Sequence, residues 1–227
     1  MHDLHTEYLR EITRFFWEND EHPDTSQMEE LARYAQMIVQ KNQIINLISR
    51  KDTNAVIENH IWISAYISKF IPERCKHFLD IGTGGGFPGI PVAIMRPDMT
   101  GVLADSIKKK TEAVREFADK LMLGRISVAN TRVEDPEFIA RYRNSFDLVI
   151  SRATDELITL VRYALPVIKQ RAYLIAIKGG DMTEELSKMA SKYEPYIRKS
   201  TIFELHYKPT NIRNVKEKKL VMLELCK

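Results

Sequence analysis

The stretch DIGTGGGFPGIP, residues 80–91, predicts the fold of this 227-residue chain. The overlapping residues HFLDI, 77–81, are typical of a short buried strand, and a helix-like segment follows the stretch. Between them, Gly82, Gly84 and Gly86 permit backbone angles that other residues avoid and allow a ligand to approach the backbone closely. A strand, a glycine-rich turn and a helix in this order predict a nucleotide-like ligand at the carboxyl end of a parallel strand.

Strand-like and helix-like segments alternate from residue 76 onwards. The predicted strands of this region are HFLDI, TGVLAD, ISVAN, FDLVIS and AYLIAI. The alternation predicts an α/β fold with a mostly parallel, doubly wound sheet, and the later runs STIFELHY and KKLVMLELC predict an antiparallel C-terminal edge. Because helical periodicity dominates before this point, we expect an N-terminal helical subdomain, residues 1–75, and a Rossmann-like domain, residues 76–227.

Composition and charge restrict the class of protein. The chain has a net charge of +3, a hydrophobic fraction of 44% and only two cysteines. No apolar run is long enough to span a membrane, and two lone cysteines are typical of the reducing cytoplasm, so we expect a cytoplasmic protein. Residues 192–227 hold nine Lys/Arg against four Asp/Glu. This basic tail favours a polyanionic partner.

The glycine turn is compatible with a dinucleotide or with S-adenosylmethionine. Its second half also satisfies the G-x-G-x-x-G pattern, which by itself is weak evidence for a dinucleotide. A carboxylate at Asp80 would repel a pyrophosphate but suits the cationic amino end of a methionine moiety. Asp105, 21 residues after Gly84, ends the second predicted strand, where a carboxylate accepts ribose hydroxyls in both ligand classes. The D-x-G-x-G-x-G spacing, usual in Rossmann-like methyltransferases, favours S-adenosylmethionine.

Five motifs occur in an order that matches one known family. They are DIGTGGGFPGIPVAI, ADSIKKK, TRVED, FDLVISRA and AIKGG. With these motifs the sequence resembles the RsmG family, also called GidB, of bacterial 16S ribosomal RNA guanine-N7 methyltransferases. The resemblance implies an S-adenosylmethionine pocket lined by Gly82 and Phe87, with Val133 and Glu134 beside the adenine and Arg152 also on the cofactor side.

The sequence departs from the family pattern around His60. Asn59 stands where the family usually has a basic residue, and Ile63 stands where an aspartate is expected. The histidines have no metal-ligand spacing, so no metal is expected. Guanine N7 carries a lone pair and no proton, and we therefore assign no catalytic base.

Two groups of basic residues are candidates for contact with RNA phosphates. The first consists of Lys108, Lys109 and Lys110, which follow the predicted ribose carboxylate. The second precedes and begins the last predicted strand and consists of Arg213, Lys216, Lys218 and Lys219. A guanine N7 in A-form RNA lies in a deep, narrow groove, so we expect the target base in a loop.

Other functions remain open at this level. The same core could methylate another RNA, a protein or a small molecule, or the glycine turn could serve a nicotinamide-dependent dehydrogenase. A non-catalytic RNA-binding module would also retain the basic residues. The interpretation favoured here is a monomeric methyltransferase that acts on 16S ribosomal RNA or on the small ribosomal subunit.

Overall fold

Helices form the N-terminal part of the chain in the computed structural model, which describes residues 4–152, 155–208 and 218–227. The first two helices are α1, Leu4–Glu18, and α2, Thr25–Asn42. Asp24 caps α2, because its carboxylate accepts the Gln27 amide at 2.8 Å while the Gln27 side chain accepts the Asp24 amide at 3.1 Å. Such a capping box satisfies amides that have no partner within the helix.

The helical region after α2 consists of short segments of different helix type. A 3₁₀ turn at Arg50–Ala55 precedes a π-helical turn at Ile57–Trp62, which leads into α3, Ile63–Tyr66, and a second 3₁₀ turn at Ile67–Phe70. π-helical turns are rare and frequently occur at functional sites. The prediction of helical structure in the N-terminal part of the chain is therefore confirmed.

Seven strands form one sheet in the described part of the chain. They are β1, His77–Ile81; β2, Thr100–Asp105; β3, Ile126–Asn130; β4, Phe146–Arg152; β5, Ile168–Gly179; β6, Ile197–Leu205; and β7, Lys218–Cys226. Their order is β3-β2-β1-β4-β5-β7-β6, with β1 to β5 parallel. Strand β7 is antiparallel to both β5 and β6 and lies one strand inside the edge. The predicted α/β class and the antiparallel pairing at the C-terminal side of the sheet are confirmed. The edge strand itself is β6, and the antiparallel strand β7 is its inner neighbour.

Helices cover both faces of this sheet. The connecting helices are α4, Gly89–Met95; α5, Lys108–Lys120; α6, Pro136–Tyr142; α7, Leu157–Val167; and α8, Thr183–Tyr193. Successive side chains of each strand point to opposite faces of the sheet. On one face Phe78 and Leu148 pack with α1, α2, α4 and α5. On the other face Leu79 and Val149 pack with α6, α7 and α8. The N-terminal helices thus share a hydrophobic core with one face of the sheet, while the domain division at residues 75 and 76 stays a prediction.

The strand order locates the candidate site. From β1 the chain adds β2 and β3 on one side of the strand and then returns to add β4 on the other side. The strand order therefore reverses between β1 and β4. Ligands of doubly wound sheets bind at the carboxyl ends of the strands beside such a reversal. The glycine turn after β1 lies at this point.

Candidate functional site

An open cleft of about 250 Å³ lies at the carboxyl ends of β1, β2 and β3. Four residues predicted from the sequence line it: Gly82, Asp105, Val133 and Glu134. They come from three different turns, and the parallel register of the strands brings them together. A concave site with backbone and carboxylate groups at a strand-order reversal is suited to a nucleoside.

The glycine turn has the backbone conformation that its composition predicts. Gly82, Gly84 and Gly86 have φ values of +69°, +57° and +104°, a region that side chains with a Cβ rarely adopt. A Cβ built on Gly84 would have only the Gly82 carbonyl oxygen, at 3.9 Å, within contact range. The turn therefore presents bare backbone to open space at this residue.

Asp105 links the glycine turn to the end of β2. Its Oδ2 accepts the Gly84 amide at 3.0 Å and its Oδ1 accepts the Ile107 amide at 2.8 Å. A carboxylate oxygen has more than one acceptor position, so Asp105 retains capacity for hydroxyl donors from the cleft. The same carboxylate can therefore fix the turn and bind a ribose.

Asp80 lies beneath the turn instead of lining the cleft. The residue is fully buried, and its Oδ2 accepts the Thr83 hydroxyl at 2.6 Å and the Gly89 amide at 2.9 Å. Burial raises the pKa of Asp80 to about 7, against the lowering effect of these two hydrogen bonds, and the Asp105 charge raises it further. Its Oδ1 is buried and has no hydrogen-bond partner among the described residues. A cationic donor would satisfy this oxygen.

Val133 and Glu134 occupy the side of the cleft formed by the turn after β3. Val133 is buried against Ile81 and Ala104, so it contributes an apolar wall. Glu134 is exposed, and its carboxylate is 3.8 Å from the guanidinium of Arg132. An apolar wall beside an accessible carboxylate suits the flat ring and amino group of an adenine.

Phe87 and Arg152 lie together on the opposite side of the glycine turn, outside this cleft. The Arg152 guanidinium is 5.9 Å from the centre of the Phe87 ring. Arg152 is half-buried, and its loss of hydration lowers its pKa to about 10 although Asp52 raises it, so the guanidinium stays a cation at neutral pH. It donates to the carbonyls of Asn59 and His60.

The π-helical turn contributes residues whose role the sequence did not reveal. The His60 ring packs on Phe87 at 5.1 Å between centroids, and its Nε2 is 3.4 Å from Asp52 Oδ2. Burial, followed by the charges of Arg152 and Lys218, holds the pKa of His60 far below its usual range. The imidazole is therefore neutral, and the contact with Asp52 is a hydrogen bond rather than an ion pair. In the sequence, this segment stood out only through its relation to the family pattern, including the departures at residues 59 and 63.

Basic side chains border the carboxyl edge of the sheet on two sides. Lys108, Lys109 and Lys110 form the first turn of α5, where cations are unfavourable against the helix dipole. Lys218 and Lys219 begin β7, and burial, followed by the Arg152 charge, lowers the pKa of Lys218 to about 8.

The remaining predicted phosphate contacts, Arg213 and Lys216, lie outside the described residues. Within residues 4–152, 155–208 and 218–227, the structure holds no cluster of three or more His, Cys, Asp or Glu side chains with the geometry of a metal site. None of the helices over those same ranges combines the length and apolarity needed to cross a bilayer.

The chain is similar in sequence to a family of RNA-modifying enzymes. The family profile described as GidB, rRNA small subunit methyltransferase G, matches residues 27–214. Proteins named "Ribosomal RNA small subunit methyltransferase G" are 35% identical in Clostridium novyi, over 70% of this chain and 66% of that protein, and 37% identical in Chlorobium luteolum, over 72% and 67%. The matched region thus spans about two thirds of these relatives' length.

Solved structures show the same fold at low sequence identity. An O-methyltransferase from Bacillus cereus in complex with SAH gives a TM-score of 0.61 at 14% identity, covering 86% of this chain and 91% of that one. A SAM-dependent methyltransferase from Aquifex aeolicus gives a TM-score of 0.57 at 17% identity, covering 82% and 98%. At such identities the similarity supports a Rossmann-like methyltransferase fold and leaves the substrate to be argued from the site.

Proposed function

Because the chain belongs to the rRNA small subunit methyltransferase G (GidB) family, we propose that it transfers a methyl group from S-adenosylmethionine to guanine N7 in a loop of 16S ribosomal RNA. The observation that supports this most strongly is the cleft in which Gly82, Asp105, Val133 and Glu134 meet at the strand-order reversal. Its donor and acceptor groups are those that a nucleoside requires.

Three features of the site fit S-adenosylmethionine, and the third of them disfavours a dinucleotide. The glycine turn leaves open space beside Gly84, which has φ +57°. The carboxylate of Asp105 lines the cleft at the end of β2, where it can accept ribose hydroxyls. Asp80 lies beneath the turn and outside the cleft, but its buried Oδ1 has no hydrogen-bond partner among the described residues. When ionised, this carboxylate would favour a cationic group at the turn and disfavour a pyrophosphate.

The chain's contribution to the reaction is orientation. When bound, S-adenosylmethionine supplies an electrophilic methyl group on a sulfonium centre. Guanine N7 has a lone pair and no proton, so no residue is assigned as a general base. Holding N7 in line with the methyl group contributes up to roughly 7–11 kcal/mol. The methylated ring is cationic, and nearby carboxylates are suited to stabilise it.

Basic residues on both sides of the cleft are proposed to contact the RNA backbone. Three lysines in the first turn of α5 oppose the helix dipole, and a nearby phosphate would relieve this unfavourable arrangement. Lys218 and Lys219 lie at the same carboxyl edge of the sheet, at the start of β7. The proposed partner is 16S ribosomal RNA or the small ribosomal subunit, which implies a cytoplasmic protein, and we propose that it acts as a monomer.

Two measurements on the purified protein test the proposal. S-adenosylmethionine is expected to raise the melting temperature, whereas NAD is not; the reverse result would favour a dehydrogenase. When S-adenosylmethionine carries a labelled methyl group, the label is expected to appear in 16S ribosomal RNA or small subunits. The Asp105→Ala variant is expected to transfer no label. Label in extract protein or small molecules instead would favour another methyltransferase. Cofactor binding without transfer to any fraction would favour a non-catalytic module.

A further inference from the structure

Tyr34 of α2 carries a buried hydroxyl group that has no role in the proposed chemistry. The residue has no exposed surface, and its hydroxyl donates a hydrogen bond of 2.7 Å to the carbonyl of Gly85. The two residues are 51 positions apart in the sequence. Burial raises the pKa of Tyr34 well above its ordinary value, so the phenol keeps its proton and acts as a donor throughout the physiological range.

One side of the glycine turn lies directly against the N-terminal helical region. A Cβ built on Gly86 would lie 2.7 Å from the Tyr34 hydroxyl oxygen, and one on Gly85 would lie 2.9 Å from Ile38 Cδ1 and 3.2 Å from Leu47 Cβ. At the neighbouring residue Gly84 the corresponding space is open. The turn is therefore supported by α2 and the segment after it on one side and is open on the other.

A turn of this composition requires such support. Gly86 has φ +104°, and glycine readily exchanges between positive and negative φ. The Gly85 carbonyl belongs to the peptide unit that precedes Gly86, so a hydrogen bond to this oxygen fixes the orientation of that unit. The Tyr34 ring is held in turn by Phe87 and Phe117, with centroid distances of 5.2 and 5.8 Å. The donor is therefore rigid.

We propose that Tyr34 is a positioning residue for the cofactor: its hydroxyl holds the Gly85–Gly86 peptide in the orientation that the glycine turn needs to bind the methionine end of S-adenosylmethionine. This inference rests on the proposed function. It assigns the N-terminal helical region a direct part in cofactor affinity, because Tyr34, Ile38 and Leu47 all belong to that region.

Substitution Tyr34→Phe tests the inference, since it removes the hydroxyl and keeps the ring. The matched control is Tyr173→Phe: Tyr173 is also buried and its hydroxyl accepts a hydrogen bond from Arg74, but it lies in β5, two strands away from β1 and the glycine turn. Calorimetric titration with S-adenosylhomocysteine should show affinity weakened roughly 2- to 10-fold in Tyr34→Phe, the equivalent of one buried hydrogen bond. The control should bind like the wild type.

Steady-state kinetics separate positioning from a general loss of structure. Tyr34→Phe should raise the KM for S-adenosylmethionine and leave the KM for RNA unchanged, with faster amide exchange confined to the peptide that contains residues 83–87. Should Tyr34→Phe fold poorly, Ile38→Val removes a methyl group next to Gly85 and should weaken cofactor affinity in the same direction. Wild-type affinity in folded Tyr34→Phe, or in Ile38→Val where Tyr34→Phe does not fold, would overturn the inference. Wild-type protein that binds no S-adenosylhomocysteine would refute the proposed function itself, and the inference with it.

Discussion

Cofactor binding should become tighter as the pH rises towards neutrality, because Asp80 must lose a proton to receive a cation. In the free protein, burial raises the pKa of Asp80 from 3.8 to about 7 despite hydrogen bonds from Thr83 and Gly89. Because the folded protein holds this proton more tightly than the unfolded chain, Asp80 makes a contribution to stability that is lost as pH rises from about 4 to 7. At about 1.36 kcal/mol per pKa unit, the loss is at most about 4 kcal/mol.

A ligand ammonium group beside Asp80 would lower this pKa and displace the proton. Below about pH 7, binding should therefore release up to about one proton, and the logarithm of the association constant should rise with pH by up to about one unit per pH unit. Above about pH 7 the Asp80 contribution should level off. Other groups are separable: His60 stays neutral because its pKa is held far below its usual range, and Lys218 titrates only near 8.

Calorimetric titration with S-adenosylhomocysteine across this pH range, in two buffers of different ionisation heat, measures the released protons. Asp80→Asn should abolish the release and weaken binding at about pH 8, while raising the unfolding free energy of the free protein there by up to about 4 kcal/mol. Asp181→Asn, at an exposed position, serves as the control and should release protons like the wild type. Equal proton release in wild type and Asp80→Asn would refute the assignment of Asp80.

Three further variants test other parts of the structure. Gly84→Val should abolish calorimetric binding of S-adenosylhomocysteine, because the valine side chain would fill the open space proposed for the ligand and is strained at φ +57°. Normal affinity would contradict the proposed role of the glycine turn. Replacing Lys108, Lys109 and Lys110 by glutamine should weaken RNA binding and reduce the log–log salt slope by about 2 in a salt titration; an unchanged slope would exclude them from the RNA surface. Leu148→Ala, at a fully buried position of β4, should lower the unfolding free energy by about 2–5 kcal/mol in urea denaturation; a loss below about 1 kcal/mol would contradict its core position.

Local patterns were sufficient to predict most of the sheet. HFLDI, TGVLAD, ISVAN and FDLVIS are strands in the structure, since short apolar runs between helical segments leave few alternatives in a doubly wound fold. The position of β7 between β5 and β6 depends on pairing between distant segments. The sequence predicted the antiparallel pair but not which strand would form the edge.

The site was predictable where it consists of strand ends and less so where it depends on long-range packing. Gly82 and Asp105 follow strands whose carboxyl ends meet by topology, so their proximity could be anticipated. The burial of Asp80 beneath the turn and the separation of Phe87 and Arg152 from the cleft could not. The hydrogen bond from Tyr34 to Gly85 joins distant parts of the chain, and no local pattern indicates it.

The most direct test is to map N7-methylguanine in small-subunit ribosomal RNA from cells with and without the gene, by borohydride reduction and aniline cleavage. We expect one cleavage site in a loop of 16S RNA from cells that carry the gene, and no cleavage at this site in cells that lack it. Expression of the wild-type protein in the deleted strain should restore the cleavage, whereas expression of Asp105→Ala should not. An identical cleavage pattern in both strains would contradict guanine-N7 methylation of this RNA by the protein.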